Sequence, residues 1–272
     1  MQKGFKFIGA LLFLVLLGAC STNGVNGQST DTKEEQSVSN SSEDIELTIS
    51  AAASLKDAMD VIKDTYQEKH PQVNLKFNYG ASGALQQQIS QGAPVDLFFS
   101  AAEDKYERLV EQGDIAKEDG VKLLGNELVL VVSNDDQSIK GFKDLEKSGI
   151  DKISIGTPEI VPAGEYAKES LEHMGIWEAI EEKIVYAKDV RQVLSYVETG
   201  NVRAGIVYKT DALISDKVKI VATADPATHT PIIYPIGIIK NSKQYKAARE
   251  FYEYLQGEEA PNVFKKYGFT TK

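Results

Sequence analysis

A chain of 272 residues, 42% hydrophobic and 26% charged, is long enough for one large domain or two intimate ones. Its net charge of −10 argues against nucleic acid as a partner, and its single cysteine, Cys20, excludes an internal disulfide and a cysteine-cluster metal site. Net charge is a far-field quantity, so a local anion site built from dipoles stays open.

The chain starts with "MQKGFKFIGALLFLVLLGAC". Lys3 and Lys6 precede an apolar run from Phe7 to Leu17, and small residues follow before Cys20. This is the layout of a signal peptide over residues 1–19. The run is shorter than the ~20 apolar residues of a membrane span. Its ending, "LLGAC", resembles a bacterial lipobox, in which the cysteine is lipidated and becomes the first mature residue. The alternative is an uncleaved signal anchor. Residues 20–44 are polar, with Val25 and Val38 their only clearly apolar members, and are expected to form a disordered tether. A lipid at Cys20 on such a spacer would hold a soluble domain at the outer face of a cell membrane.

From Ile45 onward strand and helix patterns alternate. "IELTIS" is a strand, and residues 54–70 form an amphipathic helix with Leu55, Ala58, Met59 and Ile62 on one face. Strands "VNLKFNY" and "VDLFFS" are each followed by a helix, ended by Gly92 and Gly113. "ELVLVVS" is a buried strand. "KISIG", "KIVYA" and "AGIVY" are strands with helices over 164–175 and 189–200 between them. "KIVATA" and "IIYPIGII" add strands, and helices over 242–257 and 258–268 close the chain. The alternation implies an α/β architecture with parallel pairing. More than eight strands suit two sheets better than one. Crossings near 123–133 and 231–239 divide the domain into lobe 1 (45–124 and 235–272) and lobe 2 (125–234).

In such sheets ligands bind beyond the carboxyl ends of strands, where helices begin. The residues at those turns are Ala52, Ala53 and Ser54; Ala81 and Ser82; Ser100 and Ala101; Pro162, Ala163 and Gly164; Asp189 and Val190; and Tyr208. They are small or carry hydroxyls. Helix N-termini present unsatisfied N–H groups and a partial positive charge, so these turns together would make a donor-rich pocket for a small oxyanion. Taken singly, each has a plainer explanation. Ser54 and Ser82 could simply cap their helices, Asp189 could cap the next one, and Tyr208 could be a core aromatic.

"GASGA" around Ser82 is also one residue short of the nucleophile elbow of α/β-hydrolases. A serine esterase needs an acid and then a histidine downstream. His70 precedes Ser82, His173 lies in a charged helix and His229 in a polar loop, and no oxyanion-hole motif of the His-Gly-Gly-Gly kind occurs. No zinc or other metal-ligand motif occurs.

Taken together, "AAASLKDAMD", "GASGALQQQISQGAPVDLFFSAAEDK", "LLGNELVLVV", "PEIVPAGEYAKESLEHMGIW", "DVRQVLSYVETGNVRAGIVYKTDA" and "FKKYGF" resemble the molybdate-binding proteins of bacterial ABC importers. The resemblance spans residues 45–272. It implies the type II periplasmic-binding-protein fold: two mixed α/β lobes with a ligand cleft between them. It implies ligand contacts at Ala52, Ser54, Ser82, Ala101, Ala163, Val190 and Tyr208, the serines and tyrosine through hydroxyls and the others chiefly through backbone N–H. It further implies a monomer with no cofactor, no metal cation and no catalysis. Its ligand would be molybdate, and tungstate with it, and its partners a permease and an ATPase subunit. A receptor for sulfate or another tetrahedral oxyanion is the alternative within this class, and an esterase using Ser82 the alternative outside it.

Overall fold

The computed structural model describes residues 44–271. The expected signal peptide, Cys20 and all of the tether but its last residue lie outside the described residues. Among the described residues no helix is long and apolar enough to cross a membrane.

Elements follow in chain order. Strand β1 (Ile45–Ala52) leads through a 3-10 turn (Ala53–Leu55) into helix α1 (Lys56–Lys69). Then come β2 (Val73–Gly80), α2 (Ser82–Ser90), β3 (Leu97–Phe99), α3 (Glu103–Gln112) and β4 (Ile115–Gly125). The middle of the chain holds β5 (Leu128–Ser133), β6 (Ile153–Gly156), α4 (Pro162–His173), α5 (Trp177–Ile180), β7 (Ile184–Ala187), α6 (Val190–Glu198), β8 (Ala204–Tyr208), α7 (Lys209–Leu213) and β9 (Val218–Thr223). The chain ends with β10 (Ile233–Ile239), α8 (Tyr245–Gln256), α9 (Glu259–Lys266) and β11 (Thr270–Thr271).

These elements form two mixed sheets flanked by helices, the expected two-lobed architecture. The first sheet has the order β11-β4-β10-β3-β1-β2 and the second β7-β6-β8-β5-β9. Pairings among β1, β2 and β3, and among β6, β7 and β8, are parallel. β10 runs antiparallel between β3 and β4, and β5 antiparallel between β8 and β9. Purely parallel pairing therefore gives way where the chain crosses between the sheets.

Periodicity explains most elements. α1 buries Ala58, Met59, Ile62 and Tyr66, and α6 buries Val190, Val193, Leu194 and Val197, each a stripe at helical spacing. β5 is central and buries five residues in succession. α3 stops at Gly113, which adopts the left-handed conformation (φ 81°). Pro235 sits within central β10, and the register shifts between Tyr234 and Pro235, where proline has no N–H to offer the ladder.

β4 is an element the sequence reading did not assign. Lys117, Glu118 and Asp119 break its apolar alternation, and only two-residue β11 covers its outer side. A strand near the sheet edge tolerates such charges.

Candidate functional site

The parallel strands of both sheets end at the turns selected above. A small cavity lies there, lined by Ala52, Ser54, Ser82 and Ala101 from the first lobe and Ala163, Val190 and Tyr208 from the second. All seven residues singled out from the sequence thus line one cavity. Ala53, Gly80, Ala81, Val161, Pro162 and Asp189 complete the wall.

Neither serine caps a helix. Ser54 lies inside the 3-10 turn and Ser82 is the first residue of α2, whose N-cap is Ala81; no side chain caps either element. Ser82 is 1% exposed, and its Oγ accepts the Ala101 N–H at 2.9 Å. This bond occupies Ser82 as an acceptor and leaves its hydroxyl proton to donate. It also engages the Ala101 N–H, so Ala101 acts by holding Ser82 rather than as a free donor.

Ser54 Oγ lies 2.9 Å from Tyr234 Oη. Tyr234 Oη accepts from Asn126 Nδ2 at 3.1 Å, and Asn126 also donates to Thr210 Oγ1 at 2.9 Å. With Asn126 donating to it, Tyr234 Oη can pass its own proton to Ser54 Oγ, an arrangement that frees the Ser54 proton for a ligand. Neither Tyr234 nor Asn126 sits at a strand-to-helix turn, so no local pattern marks them as part of the site.

Tyr208 is the last residue of β8, and 1% of it is exposed. Its Oη has no hydrogen-bond partner. A buried hydroxyl without a partner is costly, by about 1–3 kcal/mol. Burial, and then the neighbouring Tyr234, push the Tyr208 phenol well above its ordinary value, so it is a neutral donor.

Ala163 and Val190 stand in the first turns of α4 and α6, where N–H groups have no intrahelical acceptor. Pro162 begins α4, and no side chain caps it. Gly164 lines no part of the cavity. A Cβ there would lie 2.0 Å from the Gly156 carbonyl oxygen, so glycine is what lets α4 start against the end of β6. Asp189 does cap α6: its Oδ1 accepts the Gln192 N–H at 2.9 Å, which turns its carboxylate toward the helix. Ser100 bonds within its own turn, to Ala102.

No cation lines the cavity. Arg191, next to Val190, is held in ion pairs with Asp57 and Asp211, both at 2.6 Å. Asp57 belongs to the first lobe, so this arginine ties the lobes together. Lys105 on α3 likewise meets Glu165 on α4 at 3.0 Å. No histidine lines the cavity either, and no base contacts Ser82 Oγ, so the esterase arrangement lacks its second member. Hydroxyl-bearing residues and helix starts from both lobes line the cavity, and Asp189, turned to cap α6, is the one charged residue in its wall.

The sequence profile of the bacterial extracellular solute-binding proteins matches residues 47–270. A Bacillus subtilis protein provisionally named an ABC transporter substrate-binding lipoprotein is 55% identical over 272 residues, covering 100% of this chain and 99% of that one. The molybdate-binding protein of Haemophilus influenzae is 35% identical over 233 residues, 83% of this chain and 90% of its own. Among solved structures, the periplasmic molybdate-binding protein of Azotobacter vinelandii superposes with a TM-score of 0.76 at 25% identity, over 83% of this chain and 99% of that one.

Proposed function

The chain belongs to the family of bacterial extracellular solute-binding proteins, and on that premise we propose that its cleft captures molybdate, and tungstate with it, for an ABC importer. Proteins of this family bind a solute outside the cytoplasm and do no chemistry on it. The chain is a substrate-binding component of an ABC transporter and not an enzyme.

The observation that carries the anion reading is Tyr208 Oη, buried, unpartnered and on the cavity wall beside Ser54 and Ser82. The three hydroxyls donate to the oxyanion. Ala52, Ala163 and Val190 add backbone N–H groups, and Ala101 contributes through Ser82. A hydrogen bond to a charged group contributes ~1.5–3 kcal/mol. Several of them offset the desolvation of a dianion only if they are already aimed, and the helix starts and the bonds to Ser54 and Ser82 supply that aim. Molybdate and tungstate are tetrahedral dianions of one shape and charge, so the same donors serve both. The name of the Haemophilus relative supports molybdate over sulfate.

Delivery goes to a permease with its ATPase subunit, with the chain acting as a monomer. The anchor is a lipid on Cys20, a reading supported by "LLGAC" and by the name of the Bacillus relative. Cys20→Ser would then release the chain to the medium or leave its precursor unprocessed.

Calorimetric titration with molybdate, tungstate, sulfate and phosphate tests the function. Molybdate and tungstate should bind tightly and the other two far more weakly. Equal binding of sulfate would shift the assignment to a general oxyanion receptor, and no heat with any of the four would remove it.

A further inference from the structure

Gly83 follows Ser82 in α2, and its N–H does not turn to the cavity. It donates to the Ile160 carbonyl of the opposite lobe at 3.0 Å. A Cβ at Gly83 would lie 2.8 Å from both Ile160 Cα and Ile160 O, which are backbone atoms. The helical backbone at Gly83 suits any residue, so this close approach is what requires glycine there.

Ile160 cannot easily yield. Thr157, at the start of its loop, donates through N–H to the Ala187 carbonyl at 2.9 Å. The Thr157 carbonyl in turn accepts from Ile160 and Val161 at 3.1 and 2.8 Å. Other links between the lobes, Arg191 to Asp57 and to the Ser54 carbonyl, Lys105 to Glu165, and Tyr166 Oη to the Ala101 carbonyl at 3.4 Å, run through long side chains that can follow a partial opening. A backbone-to-backbone bond has no such slack.

We propose that the Gly83–Ile160 bond is the latch of the closed cleft, and that the absence of a side chain at Gly83 sets how long the anion is retained. The proposal rests on the reading that the cleft closes over an anion. Ser82 donates to that anion and Gly83 grips the far lobe, so one helix start serves both and closure brings them to bear together.

The test uses the full chain. Gly83→Ala should weaken molybdate binding by about tenfold to a hundredfold, the effect of overpacking a tight contact, mostly through faster release. Its ligand-free melting temperature should not fall, because alanine favours the helix. Gly141→Ala, where a Cβ meets nothing within 4 Å, should change neither quantity. Spin labels at Val61→Cys and Tyr186→Cys, exposed sites on the two lobes, should report a longer separation in Gly83→Ala with molybdate than in its parent. In the unsubstituted chain, the Gly83 amide should become protected from hydrogen exchange when molybdate is added. Wild-type affinity and closure in Gly83→Ala, or no protection of that amide in a chain that binds molybdate, would overturn the latch. If the parent binds no oxyanion, the proposed function fails by itself. The ligand-free separations then decide: a longer one in Gly83→Ala upholds the latch, and identical ones overturn it.

Discussion

Ser82 Oγ accepts the backbone N–H of Ala101 at 2.9 Å, which joins the start of α2 to the turn after β3 inside one lobe. The bond fixes the serine rotamer and leaves one proton for a ligand. Ser54 is held in the same manner by Tyr234. The two serines therefore present donors that are oriented before any ligand arrives.

Ser82→Ala should weaken molybdate binding by ~1.5–3 kcal/mol, one hydrogen bond to a charged group. It should also lower folding stability by about 1–3 kcal/mol, because the buried Ala101 N–H loses its acceptor. A helix-cap effect plays no part, since Ser82 caps nothing. Calorimetry and urea unfolding check the two effects separately. Unchanged affinity would leave Ser82 a structural residue only.

Tyr208→Phe should separate binding from stability in the opposite sense. The substitution keeps the ring that packs edge-on against Tyr234 at 5.8 Å. It removes a hydroxyl that no protein group bonds. Stability without ligand should hold or rise, while affinity falls by ~1.5–3 kcal/mol, mainly through release. Stopped-flow displacement and thermal melts are the measurements. A variant that releases molybdate at the parent rate would make Tyr208 a core aromatic.

Tyr234→Phe tests the support under Ser54. Without Tyr234 Oη, the Ser54 hydroxyl is free to rotate, and Asn126 keeps Thr210 as the acceptor of its Nδ2 and the Glu127 N–H as the donor to its Oδ1. Affinity should fall, but by less than in Ser54→Ala. In the double variant the two losses should not add, because both act through one hydroxyl. Additive losses in a double-mutant cycle would show that Tyr234 acts on the cleft by another route.

The turns that hold the seven residues are legible because strand-to-helix turns are written in local sequence: an apolar run, small or hydroxyl residues, then a 3.6-residue stripe; the choice of these seven among the turn residues rests on the family resemblance. Ser54, Ser82, Ala163 and Val190 could each be placed by that rule. Tyr234 and Asn126 could not. They reach Ser54 across sequence separations of 180 and, through Tyr234, 108 residues, and no local pattern encodes such a contact. β4 was hidden for a related reason: its pairing with β10 is non-local, and its charges imitate a loop. The role of Gly83 was equally invisible, since it depends on how closely the lobes approach.

The last prediction concerns Asp211, which is fully buried on α7 against Arg191. Burial, opposed by Arg191 and aided by the charge of Asp57, pushes its carboxyl from the usual carboxylate value up to about 6. The folded protein then holds this proton at a pH where the unfolded chain, with a value of ~3.9, has released it. Between about pH 4 and 6 the native state binds more protons. The contribution of this group to stability therefore falls as pH rises through that window and is level on either side. The full change is on the order of 3 kcal/mol. Asp211→Asn removes the titration while keeping an oxygen that can accept from Arg191. Subtracting the variant's pH–stability curve from the parent's cancels the carboxylates common to both. The difference should move against the parent from pH 4 to pH 6, then stay flat to pH 8. Urea unfolding of the ligand-free chain at half-unit pH steps gives this curve. Parallel curves for parent and variant would mean that Asp211 stays ionised throughout, held by Arg191 despite its burial.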